Sequence, residues 1–319
     1  MLSRRQLRIK VLQALYAFFQ SKENRIDIAE KQLLKSIEKL YELYIFQLSF
    51  ILEIFEYAEK RIEEAKNKFL PTESDLNPNK KFIDNKFIKQ LSENKDLIKK
   101  TNDLKIFWSD EKNLIRKTFL KISESNKYKD YMSSSDNSYH ADKEIVIKLL
   151  KKEISENEVL KNYYEDRSIY WVDDYYAVTM LIIKTIKLFQ EDWDEFVPLP
   201  SIYKTSDKEN NEDRKFIIEL FRKTIIHSRE YEQLIDKKTK NWELDRIAVM
   251  DIILIKMALA ELLEFPNIPV KVTMNEYIEL SKLFSTPKSK IFVNGILDKL
   301  IVDLNKKNLI NKTGRGLMT

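Results

Sequence analysis

The sequence predicts an all-α chain, and three observations carry that prediction. Glycine and proline are scarce, with 3 and 7 in 319 residues, which disfavours a turn-rich β fold. Apolar residues recur at spacings of three and four through most of the chain, the period of a helix with one buried face. The stretch Leu244–Leu263 is apolar nearly all round. Its charges after the first turn, Asp251, Lys256 and Glu261, lie five residues apart and point in three directions at about 100° per residue. A helix with no wholly polar side is a buried one, and no 18-residue apolar run escapes a charge, so it is not a membrane span.

Composition limits the chemistry. Apolar content of 43% is globular, and 34% charged residues nearly cancel to a net +5. That mild basic bias permits nucleic-acid binding without requiring it. With no cysteine there is no disulfide framework, zinc ribbon or thiol chemistry. No secretory segment is visible, and a cytoplasmic protein is the expectation. The two histidines, His140 and His227, both lack a Glu three residues earlier, so the Glu-x-x-His di-iron pattern is missing. There is no His-Glu-x-x-His, P-loop, Gly-x-Gly-x-x-Gly or Gly-x-Ser-x-Gly. Asp173 and Asp174 diverge by about 100° on a helix and do not converge on one ion. No catalytic residue, metal or cofactor is expected.

The elements follow in order. Residues 1–22 contain no acid. Leu7, Val11, Ala14, Leu15 and Phe18 form a helical stripe, and Arg4, Arg5, Arg8 and Lys10 crowd its start. Cations there oppose the macrodipole, at about 0.3–1 kcal/mol each, so helix stability does not explain them and an anionic partner would. A transit peptide or a solvated end shares the same composition. Ile28–Phe69 has the pattern of one or two long core helices, ended by Leu70-Pro71 and Asn77-Pro78. Further helices are expected at Asn85–Asn102, Ser109–Ser123, Ala141–Tyr163 and Val172–Gln190, with polar linkers at Ser123–Tyr139 and Thr205–Asp213. From Arg214 a helix carries Phe216, Leu220, Thr224 and His227 on one face, and Trp242 leads into the buried helix. Glu264–Pro269 ends that helix. Thr273–Phe284 is the next, and Ser285-Thr286-Pro287 caps a last one with Val293, Ile296, Leu297, Leu300, Ile301 and Leu304 on one stripe. Gly295 interrupts it at about 1 kcal/mol against alanine, which predicts a close approach of two helices there.

Several of these segments, in order and at matching distances, resemble the NusB transcription antitermination family. They are Ala-Leu-x-Glu-Leu at the end of the buried helix, Ile-Pro-x-Lys-Val, Asn-Glu-x-x-Glu-Leu and Phe-Val-Asn-Gly-x-Leu-Asp-Lys. Arg4-Arg5-x-x-Arg8 followed by Gln13-Ala14-Leu15-Tyr16 resembles the family's opening. The resemblance implies NusB-like helical bundles in which residues 1–79 and 212–305 form the core. Residues 80–211 would be an additional inserted helical region, and 306–319 a flexible basic tail. It implies binding of boxA-like single-stranded RNA with the small-subunit ribosomal protein NusE, in the transcription elongation complex on ribosomal RNA operons. The RNA-binding residues it implies are Arg4, Arg5, Arg8, Tyr16, Asp251, Phe284 and Lys288. Some RNA methyltransferases join such a domain to a glycine-rich catalytic domain. Three glycines in all do not make one, so the chain reads as the binding module without the enzyme. The alternative is a helical protein-interaction scaffold without RNA affinity, favoured by an insertion of domain size.

Overall fold

The computed structural model describes residues 2–21, 25–203, 211–239 and 247–317. Trp242, the start of the expected helix at Leu244, and most of the linker after Thr205 lie outside the described residues. The helices in order are α1 (Arg4–Gln20), α2 (Ile26–Lys66), α3 (Glu73–Leu76), α4 (Lys86–Glu93), α5 (Lys95–Asp103), α6 (Lys112–Glu124), α7 (Asn126–Ser133) and α8 (Tyr139–Leu149). After a π-helical turn at Leu150–Ile154 come α9 (Glu158–Arg167), α10 (Tyr175–Leu188), α11 (Glu212–Ile226), α12 (Ser228–Asp236), α13 (Val249–Glu264), α14 (Val270–Phe284) and α15 (Ser289–Lys306). No strand occurs among the described residues, and the all-α expectation holds.

The chain forms two compact units, residues 37–202 on one side and residues 2–36 with 203–319 on the other. These divisions fall at 36/37 and 202/203, whereas the sequence reading divided the chain at 79/80 and 211/212. The difference at the first division lies in α2, a single 41-residue helix most of whose length carries the core of the first unit. There Tyr44 Oη meets Thr185 Oγ1 at 2.9 Å, Gln47 donates to Thr179 at 2.8 Å, and Trp108 Nε1 donates to Ser49 at 2.9 Å. Rings of Phe46, Phe50, Trp108 and Trp171 pack around that stretch with centroids 5.0–6.2 Å apart. Charge is divided as the units are. Residues 37–202 hold 27 Lys and Arg against 31 Asp and Glu, and the remaining sequence holds 29 against 20.

The second unit is organised around α13, which packs against α1, α11, α12, α14 and α15. Every residue from Ile253 to Leu262 is buried, as apolarity on all sides requires. Its three charges are buried with the rest, and each meets a different neighbour. Asp251 accepts from Ser289 of α15 at 2.7 Å. Lys256 donates to Ser228 of α12 at 2.9 Å and pairs with Glu232. Glu261 takes Arg8 of α1 in a two-bond fork, 2.8 Å each, and accepts from Thr273 and Tyr277 of α14.

Two expectations are corrected here. A Cβ built on Gly295 finds nothing within 4 Å, so no helix approaches closely there and the glycine is only a weak point of α15. The tail, expected to be flexible, is docked over its described part. Lys312 Nζ donates to the carbonyls of Phe265 at 2.9 Å and Glu261 at 3.3 Å, and Thr313 N–H donates to Pro266 O at 3.0 Å. The reason is chemical. α13 ends at Glu264, where its last carbonyls lack helical partners, and the tail supplies donors to Glu261 O and to the Phe265-Pro266 turn that follows.

Candidate nucleic-acid interface

The start of α1 is held by a capping box: Ser3 N–H donates to Gln6 Oε1 at 2.8 Å and Gln6 N–H donates back to Ser3 Oγ at 3.3 Å. Ser3, Arg4, Arg5 and Arg8 then line an open groove of about 1320 Å³, together with the Phe265–Pro269 turn, the start of α11, Glu276 of α14 and the docked tail.

The arginines face carboxylates of the protein itself. Arg8 is 2% exposed and lies on the apolar stripe with Val11, Leu12 and Leu15, three to seven residues on. Burial opposes its charge, but Glu261 beside it more than offsets this and holds its pKa above the ordinary arginine value. The Tyr277 hydroxyl, buried against the same carboxylate, is pushed far above its usual range and stays a donor. Arg5 forks onto Glu276 at 2.9 and 2.8 Å, and those bonds raise its pKa. Arg4 Nε lies 3.0 Å from the buried Asp213 Oδ1, a contact at ion-pair distance whose angle misses hydrogen-bond geometry. Its guanidinium covers the Phe216 ring at 4.5 Å.

This corrects the inference that the acid-free N-terminus needs an external anion. The anions come from α11, α13 and α14, more than 200 residues away. Arg8 in particular is a core residue, not a surface contact. Asp251 is also buried, at 4% exposure. It sits in the first turn of α13, where an acid is favoured; its Oδ2 accepts from Ser289, while its Oδ1 has no hydrogen-bond partner among the described residues. Arg4 and Arg5 remain partly accessible, and Tyr16 is 42% exposed. Arg5 and Tyr16 are eleven residues apart, which at about 100° per residue returns to within about 20° of one face. Phe284 is half-buried at the end of α14, and Lys288 is exposed at the start of α15.

Five of the seven expected residues fall into two groups in the second unit. Arg4, Arg5 and Arg8 gather at the Glu261 end of α13. Asp251, with Lys288 adjacent to its partner Ser289, lies ten residues away along α13, about 15 Å at helical rise. Glu276, Lys215 and Arg315 were not singled out from sequence, and Glu261 was read only as a charge of the buried helix. A charge inside a helix apolar on all sides was the available signal for Glu261, since such a charge demands a partner.

The NusB family description matches residues 175–302. The transcription antitermination protein NusB of Salinibacter ruber is 41% identical over 129 residues, covering 40% of this chain and 81% of that protein. The NusB of Myxococcus xanthus is 35% identical over 131 residues, 41% of this chain and 89% of that one. That of Chloroherpeton thalassium is 40% identical over 105 residues, 33% and 50% of the two chains. A solved T. maritima NusB structure shares 27% identity over 39% of this chain and 75% of that one, with a TM-score of 0.28 that is too low to argue from shape. With the first two relatives covered over most of their length, the chain belongs to the NusB family.

Proposed function

We propose that this chain is a non-enzymatic, cytoplasmic transcription antitermination factor. It binds a boxA-like single-stranded RNA with the small-subunit ribosomal protein NusE and acts with the transcription elongation complex on ribosomal RNA operons. The observation that carries the reading is family membership, since the relatives above are named transcription antitermination proteins. The charge division supports it: the excess of cations lies in the unit built around α13 and α1. Tyr16 is exposed on the face of α1 that also carries Arg5, about 16 Å away, a layout in which an unpaired base stacks on the phenol ring beside the basic wall of the groove. Phe284 at the end of α14 and Lys288 at the start of α15 offer the same pairing of ring and cation.

Titration of a labelled boxA-like RNA and a base-shuffled RNA with the purified chain, with and without the ribosomal protein, tests the proposal. Preferential binding of the boxA-like RNA, tightened by the ribosomal protein, is expected. Equal affinity for both RNAs removes the sequence specificity. No RNA binding in any mixture leaves the scaffold reading in its place.

A further inference from the structure

The groove beside α1 has a charge pattern that the sequence motifs do not show. Its three motif arginines are engaged by Asp213, Glu276 and Glu261. Two other cations line the same groove, Lys215 of α11 and Arg315 of the tail. Both are exposed, and among the described residues neither side chain has an ionic or hydrogen-bonding partner. Glu212, Glu219 and Glu264 also line it, and Glu264 pairs with Lys223 at 2.8 Å. Glu212 stands 3.9 Å from Arg4, and Glu219, one turn beyond Lys215, makes no ion pair with it.

Arg315 is brought there by construction. Lys312 is anchored on two carbonyls at the end of α13, and burial lowers its pKa. Thr313 is anchored on Pro266. Gly314 has φ +54°, the left-handed region where glycine carries no steric penalty. Gly316 lies so close to the turn that a Cβ there would fall 1.8 Å from Pro266 O. Backbone at that distance cannot give way, so only glycine permits the tail to lie flat. Between these two glycines Arg315 projects from a docked segment, and its ordering cost on binding is partly met beforehand.

We infer that Lys215 and Arg315 are the phosphate-contacting residues of this groove, with the tail docked by Lys312, Thr313 and Gly316 as the element that positions Arg315. The ligand chemistry is a single-stranded RNA backbone, and the inference rests on the function proposed above. The motif arginines then shape the wall, and the capacity for a new anion lies on the two cations that the protein's own acids leave available.

The full chain is titrated with a labelled single-stranded boxA-like RNA over a range of salt. Arg315→Ala and Lys215→Ala are each expected to weaken binding roughly tenfold, as lost charged hydrogen bonds do, and to flatten the log–log salt slope by about 0.7. Gly316→Ala keeps both charges, and is expected to lose the same affinity as Arg315→Ala because the tail cannot dock. Glu219→Gln is expected to tighten binding. Wild-type binding with unchanged affinity and slope in both alanine variants overturns this inference and leaves the proposed function standing. Loss in Arg315→Ala but not in Gly316→Ala overturns the positioning by the tail. Failure of the wild-type chain to bind any RNA overturns both readings.

Discussion

At the residue scale, Arg5 and Arg8 show how one short motif can hold two physically different arginines. Both fork onto a glutamate, but the Arg5 side chain is 43% exposed and that of Arg8 3%. An exposed pair is worth about 0–1 kcal/mol. Breaking a buried pair costs about 3–5, because the remaining charge is left without a counter-ion in a dry site. Arg8→Ala is therefore expected to lower unfolding free energy by about 3–5 kcal/mol, and Arg5→Ala by less than about 1. Urea denaturation of the two variants checks this, and equal losses would show that Arg8 is not the core ion pair described. Arg8→Lys should recover only part, since an ammonium cannot reproduce the fork. Gly295 gives the opposite sign. With open space around its Cβ position, Gly295→Ala gains helix propensity and meets no neighbour, so it is expected to stabilise by up to about 1 kcal/mol. A loss in thermal midpoint would mean that something does pack there.

At the scale of elements, legibility followed the source of each helix's stability. α13 was readable because its own composition demands burial. Ile253 and Leu254, at 2% and 0% exposure, should not accept Asp: either substitution leaves an unpaired buried charge costing several kcal/mol, and loss of helical circular dichroism at lower temperature is the expected result. The stretch Ile28–Phe69 was equally clear, and α2 runs unbroken through nearly all of it. Between residues 85 and 167 the reading was coarser. The expected Asn85–Asn102 helix is two, because Asn94 ends α4 and caps α5 by accepting from Leu97 N–H. Its side-chain amide also donates to Val197 O at 2.8 Å, a tertiary tie that no local pattern contains. The expected Ala141–Tyr163 helix is interrupted by the π-helical turn and restarted by an Asn157 cap. The serine-rich linker at Ser123–Tyr139 contains α7, whose cap is one of those serines, Ser125. Helices this short draw their stability from packing, so propensity alone reads them as linkers. The site was legible as a list of residue types but not as accessibility, since the partners of Arg4, Arg5 and Arg8 come from segments more than 200 residues away.

At the scale of the molecule, the question is whether the proposed RNA track extends beyond the groove to Lys288. The net charge of +5 is small, but the unit around α13 carries more positive charge than that total, offset by the acid excess of residues 37–202. Binding should therefore be more salt-sensitive than the overall charge suggests, since counterion release counts local contacts. Within that unit α1 lies along α13, with Arg8 at Glu261 and the Phe19 ring 4.8 Å from Lys256 Nζ. Lys288 stands beyond, next to the Ser289 that holds Asp251. A lysine at the start of α15 opposes the helix dipole, so local stability does not account for it, and no ion pair involves it among the described residues. If one strand follows α1 from the groove towards α15, Lys288→Ala should weaken binding alike for all sequences and flatten the salt slope by about 0.7. Lys288→Glu should weaken it further. The effect of Lys288→Ala should add to that of Arg315→Ala, because sites more than about 10 Å apart with no shared partner are independent. An oligonucleotide too short to span both ends should respond to only one of them. Additivity on a long RNA with single sensitivity on a short one would establish a continuous track. Unchanged affinity and slope in both Lys288 variants, with the protein still folded, would confine the RNA surface to the groove beside α1.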